Sequence, residues 1–258
     1  MKISKRLSQI DKMITRHYRD IWDCCCDHGL LGMSLIKRRA ADTVHFVDIN
    51  PPIIAKLKAQ LLQHFPRDEE LPGKQPGWQV YCADVARLPL FANQAPERGD
   101  TPLIIIAGVG GDLLSELVEK IIRANPDRQL DFILCPVHHN YKVRQTLIEL
   151  DFHLAEEMLV KENRRFYEIL HVRYKPVSQQ SPAPVSPVGS SMWDFNRTEH
   201  REYLQQTIKH YRRMQKNPRQ EVSHIINAYQ SLTNGSGKQE GKANNRVVTK
   251  VTATFAPK

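Results

Sequence analysis

Hydrophobic residues along this chain follow two alternating patterns. Short apolar runs, which predict buried strands, lie near residues 19–24, 44–47, 78–82, 102–107 and 131–135. Apolar positions three or four residues apart, which predict helices, occupy residues 3–17, 30–36, 51–65, 112–124 and 142–150. Two further strands are expected around 152–160 and 165–174. Such alternation predicts an α/β, Rossmann-like fold whose sheet is mostly parallel, with one antiparallel strand near an edge.

The pattern changes after residue 175. Residues 176–192 are rich in proline and serine and predict a linker with little packing. Residues 193–258 form a second region, with helical spacing from Arg197 to Leu232 that is interrupted near Asn217-Pro218. The sequence therefore predicts a sheet domain over 1–175, a linker, and a smaller, mainly helical C-terminal domain with a flexible tail.

The charge is distributed unevenly between these regions. The chain has a formal net charge of +9, and residues 193–258 alone hold 12 Lys and Arg against 5 Asp and Glu. A basic cluster surrounds the predicted helix break and includes Lys209, Arg212, Arg213 and Lys216. Clustered cations predict contact with nucleic acid phosphates. The alternative is a solvated helix that only keeps the protein soluble.

The turn after the first strand carries the clearest candidate chemistry. It reads Asp23-Cys24-Cys25-Cys26-Asp27-His28-Gly29, and a helix follows it. A tight turn between a strand and a helix is the first ligand loop of Rossmann-like sheets, but G-x-G-x-x-G is missing. Two carboxylates disfavour a pyrophosphate and suit a cationic ligand such as the ammonium and sulfonium of S-adenosylmethionine. The alternative is an ordinary turn with an acidic helix cap.

Later strand ends add polar and glycine-rich corners. Asp48, about 20 residues beyond the first loop, is placed to accept hydrogen bonds from a ribose diol, although a lone Asp there is often a helix cap. Asp84 could accept from an adenine amino group while Val85 packs on the ring. The turn Gly108-Val109-Gly110-Gly111 predicts the floor of a substrate or cofactor site, because three glycines permit close backbone approach.

Other site classes receive little support from the sequence. The five cysteines include three adjacent ones, which argues against a disulfide framework, and their spacing matches no zinc motif. No apolar run is long enough to span a membrane and no signal peptide is visible, so a cytoplasmic location is expected. We expect no metal and a monomer or weak homodimer.

These motifs occur in an order that resembles one family. Ser4-Lys5-Arg6-Leu7, the Asp-His loop at 23–28, Asp48, Asp84, the turn after Ile106, Pro136 with Asn140, and Tyr167-Glu168 are similar to the TrmK family of bacterial tRNA (adenine-22-N1)-methyltransferases. The resemblance covers roughly residues 1–215. It implies a class I methyltransferase sheet, S-adenosylmethionine as cofactor, and a C-terminal domain that helps to hold tRNA. Cys25 departs from the family, which usually has glycine at this position.

The resemblance and the loop positions together imply three sets of site residues. For the reaction we expect Asp27 to stabilise the developing charge, His28 to orient the base or carry a proton, and Asn140 or Tyr141 to bind the base edge or stack on it. The cofactor set is Asp23, Cys25, Asp27, Gly29, Asp48, Ile49, Asp84, Val85, Ala107, Gly108, Val109 and Gly110. The RNA set is Lys5, Arg6, Lys209, Arg212, Arg213 and Lys216.

Rival interpretations remain at this point. One is a methyltransferase for another RNA or for a protein side chain, and another is a non-catalytic RNA-binding protein that retains the fold. A nucleotide-dependent oxidoreductase is disfavoured, because the glycine fingerprint of that class is missing.

Overall fold

The longest apolar run of the sequence becomes a central strand of an eight-stranded sheet. The computed structural model describes residues 3–66, 77–91, 101–175 and 183–234. Its strands are β1 Tyr18–Cys24, β2 Ala41–Asp48, β3 Gly77–Cys82, β4 Leu103–Ala107, β5 Leu130–Cys135, β6 His153–Glu162, β7 Arg165–Tyr174 and β8 Ala183–Pro184. Its helices are α1 Lys5–Met13, α2 Leu30–Lys37, α3 Pro51–His64, α4 Gly111–Ala124, α5 Asn140–Glu149, α6 Thr198–Met214 and α7 Ser223–Asn234, with a short 3-10 helix at Val85–Arg87.

The order of the strands creates a reversal point in the sheet. Across the sheet the order is β3-β2-β1-β4-β5-β7-β6-β8, so the chain changes direction of winding between β1 and β4. The first five strands pair in parallel, whereas β7 is antiparallel to both β5 and β6. The predicted α/β fold with a mostly parallel sheet is confirmed. Doubly wound sheets bind ligands at such reversal points, beyond the carboxyl ends of the strands.

Helices cover both faces of the sheet, and β4 shows why its sequence is uniformly apolar. Leu103 and Ile105 join the core cluster that includes residues of α1, α2 and α3. Ile104 and Ile106 point to the opposite cluster, which includes residues of α4 and α5. All four side chains are fully buried. A central parallel strand has no solvent-facing side, so both sets of alternating positions must be apolar.

The linker prediction is wrong for residues 183–192. Ala183–Pro184 forms β8, which pairs with β6, and Val185, Val188 and Met192 are buried. Proline is tolerated here because β8 lies at the sheet edge, where one side of the strand needs no hydrogen-bond donor. Residues 176–182 of the predicted linker lie outside the described residues.

The chain divides into two units, Met1–Gln205 and Gln206–Lys258. The first unit holds the sheet and extends beyond the predicted boundary at residue 175. In the second unit the helices are interrupted close to Asn217-Pro218, where the sequence predicts a break. Tyr211 and Tyr229 stack there with ring centroids 6.1 Å apart. The predicted flexible tail, from residue 235 onward, lies outside the described residues.

Candidate active site

The candidate site lies where the carboxyl ends of β1, β2, β3 and β4 come together. Cys24 at the end of β1 is in register with Val47 of β2 and Ile106 of β4, so the loops that follow start at one level. Backbone hydrogen bonds join these loops, since Cys26 N–H donates to Val47 O and Ala83 N–H donates to Asp48 O, both at 3.1 Å. The structure therefore brings together the strand ends that carry the predicted cofactor residues.

The first loop adopts an unusual backbone conformation. Cys25, Asp27 and Gly29 all have positive φ, at 56°, 49° and 66°. Such angles are unfavourable for residues with a Cβ atom. Asp48 stabilises the loop, because its Oδ2 accepts from Asp27 N–H at 3.3 Å and its Oδ1 accepts from Asn50 N–H at 3.0 Å. Asp48 thus connects the first and second loops of the site.

Carboxylates dominate the electrostatics at the carboxyl ends of these strands. Asp23 is buried and accepts from Gly32 N–H at 3.0 Å, and burial raises its pKa to about 7. Burial, followed by the nearby charges of Asp48, Asp23 and Asp84, raises the pKa of the Cys25 thiol to about 11. The charges of Asp48 and Asp84 near Cys25 favour a ligand that carries positive charge.

Two predicted adenine contacts have different environments. Asp84 caps the 3-10 helix, with Oδ1 accepting from Ala86 N–H at 2.9 Å, and Val85 is buried in the core with 5% of its surface exposed. Val85 therefore offers little surface to a ligand in this structure. Ile49 is 74% exposed, which makes it the larger apolar surface beside Asp48.

The three positions after β4 require glycine for different structural reasons. Gly108 is exposed and has a φ of +89°. A Cβ atom at this position would have only the Arg6 guanidinium within 4 Å, with its nearest nitrogen 3.6 Å away. At Gly110 a Cβ would lie 2.6 Å from His138 Cε1, and at Gly111 it would lie 2.6 Å from His138 O. Packing against the turn after β5 thus explains Gly110 and Gly111, and Gly108 remains as an open backbone surface. Ala107 and Val109 on either side are half-buried.

Asp27 and His28 form a pair on the surface of the first loop. His28 Nδ1 lies 2.7 Å from Asp27 Oδ1, and both side chains are more than half exposed. When Nδ1 carries the proton that binds the carboxylate, Nε2 is left as an acceptor. The predicted pair is therefore adjacent in space, with surface available to a substrate.

Asn140 and Tyr141 begin α5, next to the glycine turn. Asn140 Nδ2 donates to the hydroxyl oxygen of Tyr203 at 3.0 Å, and that hydroxyl donates to Glu168 Oε1 at 2.6 Å. Arg144 Nε donates to the same carboxylate at 2.7 Å. The sequence patterns did not identify Tyr203 or Arg144, because their hydrogen bonds join distant positions. The Asn140–Tyr203 bond spans 63 positions and the Arg144–Glu168 bond spans 24.

The predicted RNA contacts fall in both units. The Arg6 guanidinium lies 4.9 Å from the Tyr167 ring centroid and borders Gly108, whereas Lys5 is exposed and its backbone N–H donates to Glu162. In the second unit the four cations of the basic cluster are all exposed: Lys209, Arg212, Arg213 and Lys216.

Two other kinds of site are absent from the described residues. Across the ranges from 3 to 234 that the structure covers, no group of three or more His, Cys, Asp or Glu side chains is arranged to hold a metal ion. No helix in the same ranges is both long and apolar enough to cross a membrane.

Comparison with known proteins identifies the family. Residues 3–170 match a family model described as a methyltransferase domain. The chain belongs to this methyltransferase family. No curated protein matches this methyltransferase by sequence.

Solved structures share the fold of this methyltransferase at low sequence identity. The Streptococcus pneumoniae protein Sp1610, in complex with S-adenosyl-L-methionine, is 19% identical with a TM-score of 0.65, over 90% of this chain and 99% of that one. TrmK of M. capricolum, with S-adenosyl-homocysteine, is 17% identical with a TM-score of 0.61, over 92% and 97%. The B. subtilis m1A22 tRNA methyltransferase TrmK is 18% identical with a TM-score of 0.60, over 92% and 96%. At these identities the likeness establishes the TrmK fold, as the sequence predicts.

Proposed function

We propose that this methyltransferase uses S-adenosylmethionine to methylate N1 of an adenine in tRNA, with position 22 as the expected target. One observation carries the proposal. Asp27, Asp48, Asp84 and Gly108 lie at the carboxyl ends of neighbouring parallel strands, around the reversal point of a methyltransferase sheet. Solved structures of the same fold contain this cofactor or its product, and two are TrmK enzymes.

The residues at this edge fit the proposed cofactor chemically. Asp48 projects from the end of β2, where a carboxylate accepts two donors from a ribose diol. Exposed Ile49 beside it offers an apolar surface to the adenine ring. Asp48 and Asp84 give the site a negative potential that matches the ammonium and sulfonium groups. The open backbone at Gly108 permits close approach of the reacting groups.

In the proposed reaction the protein mainly aligns and desolvates the two reactants. When bound, S-adenosylmethionine supplies an electrophilic methyl group, which N1 of adenine accepts through its in-plane lone pair. The exposed Asp27 carboxylate stabilises the positive charge that develops on the ring. His28, 2.7 Å away, orients the base or carries a proton. Asn140 and Tyr141 lie beside the glycine turn and contact the base.

Binding of tRNA is assigned to cations in both units. Arg6 lies at the site edge next to Gly108, and Lys5 is exposed one residue before it. N1 lies on the Watson–Crick edge, so a paired target must be exposed at a cost of a few kcal/mol. Phosphate contacts from the basic cluster supply free energy to offset that cost. A tRNA substrate also agrees with the cytoplasmic location expected from the sequence.

Two experiments separate this proposal from its rivals. Isothermal titration with S-adenosylmethionine tests the cofactor, and an Asp48→Ala variant is expected to bind at least about tenfold more weakly because two hydrogen bonds are lost. Asp42→Ala, an exposed carboxylate at the opposite end of β2, is the matched control and should bind like wild type. If wild type binds no cofactor at millimolar concentration, a non-catalytic RNA-binding protein is the better interpretation.

Methyl transfer from labelled cofactor into total tRNA, followed by nucleoside analysis, tests the substrate. We expect the label in N1-methyladenosine. A label in another nucleoside, or in ribosomal RNA or protein but not tRNA, would contradict the proposed specificity and favour a methyltransferase for another substrate.

A further inference from the structure

A chain of hydrogen bonds runs from the protein core to the candidate site. Fully buried Arg144 donates from Nη2 to Glu157 at 2.8 Å and from Nε to Glu168 at 2.7 Å. Glu168 also accepts from the Tyr203 hydroxyl at 2.6 Å, and the Tyr203 oxygen accepts from Asn140 Nδ2 at 3.0 Å. This series of hydrogen bonds therefore ends at Asn140, the first residue of α5.

The protons in this chain can be assigned one after another. Both oxygens of Glu168 accept hydrogen bonds, Oε2 from Arg144 Nε and Oε1 from the Tyr203 hydroxyl. The single hydroxyl proton of Tyr203 goes to Glu168, and therefore the Tyr203 oxygen can only accept from Asn140. The NH2 group of Asn140 must face Tyr203, and its carboxamide oxygen must point elsewhere.

The carboxamide oxygen of Asn140 has no hydrogen-bond partner among the residues that the structure describes. Asn140 Oδ1 is buried and meets no hydrogen-bond donor there, although Asn140 as a residue is only half-buried. A covered acceptor without a donor is costly, so a donor from a bound ligand is favoured at this position. Because Asn140 keeps some exposed surface, the residue itself lies at the boundary of the protein.

Asn140 also lies at the correct end of the sheet. The turn before it is bonded to the glycine turn after β4, since Val137 N–H donates to Val109 O at 2.9 Å and Gly111 N–H donates to His138 O at 3.1 Å. Asn140 is thus placed next to the loop that contains Gly108, at the carboxyl ends of β4 and β5.

On the basis of the proposed function, we propose that Asn140 Oδ1 accepts a hydrogen bond from the exocyclic amino group of the target adenine. Tyr203 and Glu168 are positioning residues that fix the direction of the amide. Adenine presents an amino donor beside N1, whereas guanine presents a carbonyl acceptor at the same place. A fixed acceptor therefore selects adenine, and it leaves N1 free to receive the methyl group.

The test is a double-mutant cycle between one side chain and one base substituent. Wild type and Asn140→Ala are assayed on tRNA with adenine, or with purine that lacks the amino group, at the methylated position. The ratio of activity on adenine to activity on purine should be about tenfold larger for wild type than for Asn140→Ala. This is the effect expected from one hydrogen bond in a preorganised site. Any difference in intrinsic N1 reactivity cancels, because both proteins meet the same two substrates. Equal preferences in the two proteins would overturn the proposal.

The positioning role has its own variant and control. Tyr203→Phe keeps the ring that stacks on Trp193 but removes the hydroxyl, and it should reduce the adenine preference towards that of Asn140→Ala. Tyr174→Phe removes a hydroxyl that donates to Pro126 O beside the amino end of β5, away from the candidate site, and it should leave the preference unchanged. A wild-type preference in Tyr203→Phe would refute the positioning role.

Failure of the proposed function gives a different result. If folded wild type transfers no methyl group to adenine N1 of any tRNA, the proposed function is refuted and this inference with it. If wild type is active but the cycle shows no coupling, the inference alone is refuted. Thermal unfolding midpoints of all variants identify any loss of activity that comes from misfolding.

Discussion

At residue 25 a cysteine occupies a backbone conformation that glycine adopts at no steric cost. Its φ of 56° places the Cβ atom in an unfavourable position, worth about 1–2 kcal/mol in L-residues. The thiol is half-buried and packs against the core, so a change to glycine alters packing and backbone strain together. Comparison of two variants that both lack the thiol separates these effects.

We expect Cys25→Gly to be more stable than Cys25→Ala by about 0.5–1 kcal/mol. Both changes remove the sulfur, but only glycine removes the strained Cβ, and the larger conformational freedom of unfolded glycine offsets part of the gain. Urea unfolding of the two variants measures the difference. A more stable alanine variant would show that the loop does not hold φ near 56° in solution.

Asp23 makes the stability of the fold depend on pH. Its pKa is raised by burial from 3.8 to about 7, so the folded state binds a proton more tightly than the unfolded state. The stabilisation is fully present below the unfolded pKa, and it is lost as pH rises through the folded pKa of about 7. Between pH 5 and pH 8 the loss is roughly 2–3 kcal/mol, at about 1.4 kcal/mol per pKa unit.

Asp23→Asn should therefore become more stable relative to wild type as pH increases. The asparagine oxygen can still accept from Gly32 N–H, and no charge is buried at high pH. Denaturant unfolding of both proteins at pH 5 and pH 8, without cofactor, measures the change. A stability difference that is the same at both pH values would contradict a buried, titrating Asp23.

Single positions differ in how far the sequence could predict them. The positions of Asp48 and Asp84 at neighbouring strand ends were predictable, because each comes at the end of an apolar strand pattern and parallel strands bring such ends together. The environment of Asn140 was not, because its partner Tyr203 comes from α6, which no local pattern connects to α5. Val85 was predicted to pack on a ligand ring, but the core contacts that bury it come from distant parts of the chain.

At the scale of elements, the segment after β8 is fixed by one buried carboxylate. Glu157 Oε1 accepts from the backbone N–H groups of Ser191 at 2.7 Å and Met192 at 3.2 Å, and also from Ser190 N–H. Its other oxygen accepts from Arg144 at 2.8 Å. Burial acts to raise the Glu157 pKa, but Arg144 and the N–H donors of Ser190 and Met192 outweigh it, so the pKa is lowered. A segment that looks like a linker thus becomes part of the sheet domain.

Glu157→Ala should destabilise the protein by about 3–5 kcal/mol, because it removes the carboxylate that accepts from Nη2 of buried Arg144 and from three backbone N–H groups. Hydrogen exchange should show the largest loss of protection at residues 190–192. Glu156→Ala, an exposed neighbour on β6, should change stability by no more than about 0.5 kcal/mol. Equal effects of the two substitutions would mean that Glu157 does not hold this segment.

The elements themselves were largely predictable, and the exception is instructive. Strong apolar runs such as Leu103–Ala107 and amphipathic stretches such as α4 match the structure because burial decides both. The 183–192 segment has prolines and serines that are typical of linkers, and its order comes from a glutamate and an arginine far away in the sequence. Composition alone does not reveal such long-range hydrogen bonds.

At the scale of the whole molecule, the surplus of positive charge and the acidic strand ends belong to different parts of the sequence. Residues 193–258 hold a surplus of positive charge, whereas Asp23, Asp27, Asp48 and Asp84 lie in the sheet unit. The proposed function gives these two charge distributions separate tasks. Acidic strand ends bind a cationic cofactor, and exposed cations bind phosphates through the release of counterions.

This division of tasks makes a measurable prediction about salt. Replacement of all four cations of the basic cluster by glutamine should weaken tRNA binding and reduce the slope of log K against log salt by about 3 units, since each phosphate contact contributes about 0.7–0.9. Cofactor affinity should not change, because the acidic strand ends are untouched. As a control for net charge, Lys56→Gln with Lys58→Gln removes exposed cations of α3 and should leave the slope close to wild type. Filter binding of tRNA between 50 and about 300 mM salt measures both slopes. If the cluster variant keeps the wild-type slope, the C-terminal cations only keep the protein soluble, and the RNA contacts must be sought in the sheet unit, beginning with Lys5 and Arg6.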